Sequence, residues 1–370
     1  MPTAAAPSGD RRVTRAARAT VDTAALQHNL RAVRRLAPDS KVMAVIKANA
    51  YGHGLVGTAR ALQEADALAV ARLEEAVTLR EAGLTQAIVL LEGAFHVEQL
   101  PRAASLGLEL VVHSPEQLAM LEAAQLPQPV SVWLKLDTGM NRLGLPPEAA
   151  REAAARLAAC RGVASGLRWM THLACADERD AIVTDRQLQR FAGALGELPG
   201  ERSIANTAAL LWRPDSHADW VRPGLMLYGA APFAGSSGAE LGLRPAMTLK
   251  STVIAVKTVR RGERVGYGGL WTAREDARIA IAAIGYGDGY PRCLGSGTPV
   301  LVGGRRMPLA GRVSMDMIAV DVTRQPAVEV GEEITLWGEH LPVEEIAQQA
   351  GTIPYELLCG VTQRVGVTMI

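Results

Sequence analysis

The chain has 370 residues, which exceeds the roughly 100 to 200 residues of a usual single domain. Its 39 Lys and Arg residues nearly balance its 38 Asp and Glu residues, and this balance argues against nucleic acid or an anionic membrane as a partner. The four cysteines include no Cys-x-x-Cys pair, which argues against a disulfide scaffold or a structural zinc site. No uninterrupted apolar run approaches the length of a membrane span. We therefore expect a cytoplasmic protein of two domains that holds no metal.

From residue 42 to residue 227, short apolar runs alternate with helical stretches rich in Ala, Leu, Glu and Arg. This alternation is typical of parallel strands joined by crossover helices. Eight such units predict a (β/α)8 TIM-type barrel, and a doubly wound open sheet is the alternative. The predicted strands are Val42–Ile46, Ala67–Ala71, Ala87–Leu91, Leu108–Val112, Val130–Leu136, Gly166–Thr171, Arg202–Ile204 and Gly224–Leu227.

The pattern changes after Leu243, where short β-type runs separated by Gly and Pro replace the helical stretches. Such runs indicate a mostly β domain. We predict a barrel over residues 18–243, a mostly β C-terminal domain over residues 244–370 and a flexible extension over residues 1–12. The predicted strands of the second domain are Ala246–Val259, Ala277–Ile284, Pro299–Val302, Met317–Val322 and Glu333–Trp337, and one helix is predicted at Val343–Ala350.

Lys47 directly follows the first predicted barrel strand, and Asn49, Gly52 and Gly54 suit a tight loop after it. Barrel enzymes place their sites at the C-terminal ends of the strands. A partly desolvated amine there can act as a nucleophile towards a carbonyl compound. A structural lysine whose stem covers apolar surface is the alternative that these residues alone leave open.

Polar side chains also lie at the ends of the fifth, sixth and seventh predicted barrel strands, and Arg222 opens the eighth. Each one alone is compatible with a structural role, such as a buried histidine or a surface ion pair. Because the ends of all barrel strands meet at one mouth, their joint occurrence favours a functional site. These residues are Lys135, Arg142, His172, Asn206, Thr207 and Arg222.

At this level of detail the chain resembles the alanine racemases, which are barrel-plus-β-domain enzymes that use pyridoxal phosphate. The resemblance extends in order from about Ala17 to Val365, so it is more specific than a single motif. The segments that carry it are Val45–Gly54, Lys135–Gly144, His172, Asn206-Thr207, Val221–Gly229, Val265–Gly268, Ile284–Pro291, Gly311–Asp316 and Arg364-Val365.

The resemblance implies that Lys47 binds the cofactor covalently and serves as one of two bases. Tyr267 would be the other base, on the opposite face of the substrate and supplied by a second subunit, so an active homodimer is expected. Two bases on opposite faces can remove the Cα proton and return one without turning the substrate over. The resemblance also implies that a strand near residues 13–21 joins the C-terminal domain.

The resemblance assigns binding roles to further residues. The phosphate would be held by Tyr51, Thr207, Tyr355 and the backbone amides of Gly224 and Leu225, with Asn206 beside them. Arg222 would bond the pyridine nitrogen, His172 would lie between Arg222 and Tyr267, and Lys135 matches a lysine that is often carbamylated. The substrate carboxylate would be received by Arg142 and the Met315 amide, with Asp316 adjacent.

Three other functions are alternatives to interconversion of L- and D-alanine. A broader-specificity or serine racemase shares the same motifs, and the sequence does not fix side-chain selectivity. A basic amino-acid decarboxylase would leave Tyr267 unexplained, and a non-catalytic pyridoxal-phosphate carrier would lack the region after Leu243. D-Alanine for peptidoglycan is the implied product, with alanine breakdown as the alternative role.

Overall fold

The computed structural model describes residues 16–178 and 182–370, so the predicted extension over residues 1–12 lies outside the described residues. The contacts divide the chain into two compact units. The barrel unit comprises Thr20–Thr248, Trp337–Val361 and Met369–Ile370, and the β unit comprises Leu249–Leu336, Thr362–Thr368 and, of its N-terminal part, residues 16–19. The predicted domain boundaries at residues 18, 243 and 244 stay a prediction.

Parallel strands of the barrel unit close on themselves, because the first strand pairs with the second and also with the last. The prediction of a closed barrel, rather than an open sheet, is therefore confirmed. Branched and aliphatic side chains fill the strands, as expected for strands covered on both faces. The barrel strands are β2 (Lys41–Val45), β3 (Ala67–Val70), β4 (Ala87–Leu90), β5 (Leu108–Val112), β6 (Ser131–Lys135), β7 (Arg168–Met170), β8 (Arg202–Ser203) and β9 (Trp220–Val221).

Local sequence sets where the helices of this unit begin. Asp22 caps the first helix by accepting hydrogen bonds from the Ala24 and Ala25 amides, and Ser114 caps another with Pro115 at its first position. The helices are α1 (Thr23–Leu36), α2 (Lys47–Tyr51), α3 (Leu55–Ala61), α4 (Leu73–Glu81), α5 (Gln99–Ser105), α6 (Pro115–Ala123), α7 (Ala150–Ala159), α8 (Ile182–Leu195), α9 (Thr207–Trp212), α10 (Val343–Ala350) and α11 (Pro354–Cys359).

The predicted position of the eighth barrel strand, Gly224–Leu227, is wrong. The strand is β9, which ends before that segment, and Leu225–Tyr228 forms a 3-10 turn instead. Pro223 has no backbone N–H to donate to a neighbouring strand, and the Gly224 amide donates to the Thr207 hydroxyl at 2.9 Å. The apolar side chains of this turn are buried all the same, so an apolar run alone did not distinguish turn from strand.

The β unit is built on a sheet in which the predicted strands recur with the same or slightly shorter bounds. The bounds are β1 (Arg18–Val21), β10 (Met247–Val259), β11 (Arg264–Val265), β12 (Trp271–Thr272), β13 (Ala277–Ala282), β14 (Pro299–Val302), β15 (Arg305–Pro308), β16 (Ile318–Asp321), β17 (Glu333–Trp337) and β18 (Gly366–Met369). The strand order of the sheet is β15-β14-β17-β10-β1-β18, with β13 pairing with β10 and β16, and a separate ribbon pairs β11 with β12. The strands not predicted are short or lie near chain ends, so the alternation of apolar and polar residues is too brief to be recognised.

Two tryptophans pack near the N-terminal ends of the barrel strands. Trp133 is fully buried, and its ring meets Trp220 edge to face at a centroid distance of 5.7 Å. Its indole N–H donates to Glu109 at 2.8 Å, and the Arg168 guanidinium lies over the ring at 4.7 Å while pairing with Glu109. This layer of side chains thus satisfies the buried indole N–H of Trp133.

We expect Trp133→Ala to lower the free energy of unfolding by about 3–5 kcal/mol, because it leaves a cavity between the strands and deprives Glu109 of a donor. Urea unfolding followed by circular dichroism measures the change. Leu36→Ala, at a position that is 42% exposed, is the control and should cost far less. A cost for Trp133→Ala no larger than that of the control would contradict the packing role of this layer.

Candidate active site

Lys47 and Tyr51 begin and end the short turn α2, which starts where strand β2 stops. Lys47 is half-buried, whereas Tyr51 is buried and its ring lies 5.8 Å from the ring of Tyr355. Burial raises the pKa of Tyr355 to about 12 and that of Tyr51 further, so both hydroxyls stay protonated at neutral pH and can donate hydrogen bonds. An amine and two phenol donors therefore lie at the C-terminal end of the first barrel strand.

Thr207 and Gly224 extend this set of donors. The Gly224 amide donates to the Thr207 hydroxyl, which stands at the N-terminus of α9. A Cβ atom at Gly224 would come within 2.7 Å of the Tyr51 hydroxyl, so glycine is required for the backbone to approach that group. Asn206 uses its side-chain oxygen to cap α9 at the Ala209 amide. A hydroxyl pair, a helix N-terminus and close backbone suit a bound anion.

Arg222 is buried and has several hydrogen-bond partners in the barrel unit. Its guanidinium donates to the Ser203 hydroxyl at 2.7 Å, to the Thr171 carbonyl at 2.6 Å and to the Ile204 carbonyl at 3.1 Å. It also lies 3.2 Å from Nδ1 of His172. Burial lowers the pKa of Arg222 to about 10, so it remains charged near neutral pH. Ser203 in turn donates to the Trp220 carbonyl, which fixes its position.

His172 stays neutral beside this arginine. Burial and the charges of Arg222 and Lys135 hold the pKa of His172 well below its ordinary value. With Nδ1 accepting from Arg222, the ring proton resides on Nε2. The imidazole can therefore hold the Arg222 guanidinium in place without adding a charge of its own.

Lys135 is buried at the end of β6, in a strongly cationic environment. Burial, followed by the charges of Arg222, Arg142 and Lys47, lowers the pKa of Lys135 to about 8, and Asp137 acts in the opposite direction. One oxygen of Asp137 already accepts from the Gly139 and Asn141 amides. The barrel mouth thus holds more positive than negative charge and would stabilise a bound anion.

Three of the remaining predicted residues, Tyr267, Met315 and Asp316, lie in the β unit. Tyr267 is 72% exposed and begins a 3-10 turn, and Met315 and Asp316 are exposed on the segment before β16. Arg364 pairs with Asp316 at 2.6 Å and with Asp288 at 3.2 Å, which ties two loops together. Leu225, in the barrel unit, is the first residue of the buried turn after Gly224.

Several residues near the predicted site were missed by the sequence analysis. Ser203 orients Arg222, Tyr228 stacks on Tyr51 at 4.8 Å, and His53 packs on Tyr228 at 4.5 Å. The signal for His53 was its place in the segment Gly52-His53-Gly54, within the loop that follows Lys47. Ser203 and Tyr228 gave no comparable signal, because their roles depend on contacts distant in sequence.

Within residues 16–178 and 182–370, no group of three or more His, Cys, Asp and Glu side chains is placed to hold a metal ion. Nor does that part of the chain contain a helix with the length and apolar character needed to cross a membrane.

Comparison with known proteins identifies both parts of the chain. Residues 21–232 match the model of the alanine racemase N-terminal domain, and residues 246–369 match that of the C-terminal domain. An alanine racemase of Nitrosococcus oceani is 54% identical over 352 residues, which cover 95% of this chain and 98% of the relative. One from Vibrio cholerae is 52% identical over 351 residues, covering 95% and 97%.

Solved structures agree with these sequence matches. The crystal structure of a biosynthetic alanine racemase from Pseudomonas aeruginosa is similar with a TM-score of 0.93 at 49% identity, covering 96% of this chain and all of that one. The alanine racemase of Acinetobacter baumannii is similar with a TM-score of 0.90 at 39% identity, covering 96% and 100%.

Proposed function

The chain belongs to the alanine racemase family, and on that premise we propose that it interconverts L- and D-alanine with pyridoxal phosphate bound at the barrel mouth. The observation that carries the proposal is the placement of Lys47 beside the donors around Tyr51 and the cationic groups around Arg222. An amine, an anion-binding backbone and surplus positive charge are the features that an aldehyde bearing a phosphate requires.

The residues present fit pyridoxal phosphate. The close approach of Gly224 to the Tyr51 hydroxyl leaves no room for a side chain, as a backbone cradle for phosphate requires. Lys47 would hold the cofactor covalently, and Arg222 would face its ring nitrogen. The phosphate would be held by Tyr51, Thr207, Tyr355 and the amides of Gly224 and Leu225, with Asn206 capping the helix behind them.

The bound cofactor supplies delocalisation of the electron pair left on Cα when its proton departs. The protein then has to move protons and hold charges. We propose that Lys47 and Tyr267 are the two bases, each acting at one face of Cα. Arg222 keeps its proton at neutral pH and so maintains a positive charge. His172 accepts from Arg222 and holds the guanidinium in its orientation.

We propose that the active form is a homodimer in which Tyr267 of one subunit completes the site around Lys47 of the other. Support comes from the 72% exposure of Tyr267 and from three other exposed apolar side chains of the same unit, Leu270 at 59%, Met315 at 52% and Met317 at 44%. Apolar side chains exposed in such numbers mark an interaction surface. Size-exclusion chromatography with light scattering measures the oligomeric state.

The substrate carboxylate would be received by Arg142 and the backbone amide of Met315. Asp316 is held by Arg364, so its segment has a defined position within the β unit. We propose that Lys135 becomes carbamylated and that the resulting negative charge orients Arg142. The neutral Lys135 amine adds to CO2, an N–C bond forms, and the nitrogen releases one proton to solvent.

Carbamylation of Lys135 is expected to increase as the pH rises through about 8, because only the unprotonated amine reacts and burial lowers the pKa of Lys135 to about that value. Carbon-13 NMR of the protein at fixed dissolved ¹³CO2, recorded between pH 6 and pH 9, measures the carbamate signal. Lys135→Ala should lack the signal and Lys41→Ala, at an exposed lysine, should retain it. A signal of equal size in Lys135→Ala would contradict the assignment.

The direct test of the proposed function is turnover by the purified protein with alanine, serine and lysine. Fastest racemisation of alanine supports the proposal, whereas fastest racemisation of serine would favour a serine or broader-specificity racemase. Release of CO2 from lysine would indicate a decarboxylase, and cofactor binding without turnover would indicate a carrier. Each of these other outcomes contradicts the proposed selectivity for alanine.

A further inference from the structure

The turn α2 between Lys47 and Tyr51 is left-handed. Ala48, Asn49, Ala50 and Tyr51 have φ angles of 55°, 53°, 54° and 50°, and none of them is glycine. The Cβ atom makes this conformation unfavourable for every L-residue, so it normally occurs at single positions. Consecutive residues in this region persist only where surrounding contacts hold them.

His53 makes such contacts from inside the protein. Its Nδ1 lies 3.1 Å from the Ala50 carbonyl and 2.8 Å from the Tyr51 carbonyl. Carbonyl oxygens only accept, so Nδ1 carries the ring proton and donates to both. His53 has no exposed surface, and its ring packs on Tyr228, which also stacks on Tyr51. Burial lowers the pKa of His53 to about 4, which keeps the ring neutral in this contact.

The outer side of the turn is held by two other side chains. Glu75 accepts from the Asn49 amide at 3.3 Å with one oxygen, and its other oxygen accepts from the Ala71 and Arg72 amides. The Asn49 side chain accepts from the Leu55 amide at 2.9 Å. These groups lie at or near the surface, whereas His53 acts on the last two carbonyls of the turn from the core.

The hand of the turn decides where its two terminal side chains point. Lys47 precedes the left-handed residues and Tyr51 is the last of them, so a change of hand would redirect Tyr51 relative to Lys47. In the observed conformation the Tyr51 hydroxyl lies against Gly224, at the proposed phosphate cradle. A turn that relaxed would separate the proposed covalent anchor from the proposed phosphate donor.

We propose that His53 is a positioning residue: its Nδ1–H holds the Ala50 and Tyr51 carbonyls in the left-handed turn and thereby keeps Lys47 and the Tyr51 hydroxyl at one cofactor site. The inference rests on the proposed function in that it concerns the same pyridoxal-phosphate site. It goes beyond that function because His53 bonds the backbone carbonyl of Tyr51, not its hydroxyl, and so acts on the site through the backbone.

Three substitutions at His53 separate the effect of its hydrogen-bond donor from the effect of its side-chain volume. In His53→Asn the amide nitrogen takes the place of Nδ1 and keeps the donor, whereas in His53→Gln the donor moves outward to the place of Nε2. His53→Phe keeps a ring against Tyr228 and has no donor. Loss of the donor removes a hydrogen bond from the buried Tyr51 carbonyl and leaves the Ala50 carbonyl with its bond from the His53 amide at 3.0 Å. We therefore expect the dissociation constant for pyridoxal phosphate to rise about 10-fold or more in the Phe and Gln variants and to change little in the Asn variant.

A second readout does not depend on activity. Hydrogen exchange of the full chain, followed by mass spectrometry, is expected to show faster exchange of residues 48–54 in His53→Phe with and without pyridoxal phosphate. Tyr228→Phe removes a neighbouring buried hydrogen bond to the Val45 carbonyl and leaves the turn carbonyls bonded, so it is the matched control with unchanged exchange in that segment.

Adding Ala48→Gly to His53→Phe should partly restore the affinity for pyridoxal phosphate. It should also partly restore the slow hydrogen exchange of residues 48–54. Ala48 is exposed, so glycine leaves no cavity there, and glycine adopts positive φ without steric cost. A merely structural loss in the core would not be reversed by this surface change. The steady-state constants should show the same pattern, with kcat falling more than KM rises in His53→Phe.

Wild-type affinity and exchange in His53→Phe would overturn the inference, as would equal behaviour of the Asn and Gln variants. If His53→Phe does not yield folded protein, the Asn and Gln pair decides alone. Failure of the wild-type protein to bind pyridoxal phosphate would instead contradict the proposed function, and the exchange measurements would still test the role of His53 in the turn.

Discussion

Replacing Lys47 with alanine is expected to lower kcat for alanine racemisation by about 1,000-fold or more, because the proposed function makes this one side chain both covalent anchor and base. The variant should also lose the absorbance band near ~420 nm that lysine-bound pyridoxal phosphate gives. A coupled assay of D-alanine formed from L-alanine measures the rate, and a spectrum of the same sample reports the bound cofactor.

Lys41→Ala is the matched control for this change. Lys41 begins the same strand that Lys47 follows, and it is exposed and paired with Glu201 at 2.6 Å. An exposed ion pair contributes little to stability, so this variant should keep wild-type activity within about twofold. Retention of more than a tenth of the activity in Lys47→Ala would contradict the assignment, because a positioned base alone contributes at least about 100-fold.

Replacing Tyr267 with phenylalanine is expected to lower kcat by about 100- to 10,000-fold in both directions, because inversion at Cα requires a proton acceptor on one face and a donor on the other. The ~420 nm band should persist, since Lys47 remains to hold the cofactor. The hydroxyl is the only group removed, and Tyr267 is largely exposed in the single chain, so the unfolding free energy should change little.

Deuterium exchange distinguishes loss of one base from general damage in Tyr267→Phe. In D2O the remaining base can still remove and return the Cα proton at its own face, so one enantiomer of alanine should take up deuterium without inversion and the other should not. NMR of each enantiomer after incubation gives this result directly. Equal exchange of both enantiomers would contradict the assignment of two separate bases.

Much of the barrel could be predicted, because each early strand is an apolar run followed by a helix with clear periodicity. The strands β2 to β6 lie within the predicted runs or within one residue of them. The eighth strand could not be placed in this way. The apolar run Leu225–Tyr228 is buried as a turn, and the strand before it has only two residues, Trp220–Val221.

The candidate site was less predictable than the fold, since its geometry depends on long-range contacts. Ala48 and Ala50 carry no local signal for a left-handed turn, because Ala favours a right-handed helix. The turn is held by Glu75 and by His53, which packs on Tyr228 far along the chain. Likewise, Arg222 was singled out from its place in sequence, whereas its orientation depends on Ser203 of a different strand.

Lys47 is proposed to hold pyridoxal phosphate. Borohydride reduction of the purified protein makes such a link permanent, and mass spectrometry of its peptides then identifies the modified residue. We predict a phosphopyridoxyl group on the peptide containing Lys47, with alanine racemisation lost on reduction. A protein that remains colourless after addition of pyridoxal phosphate, or a modification on a different lysine, would contradict the claim.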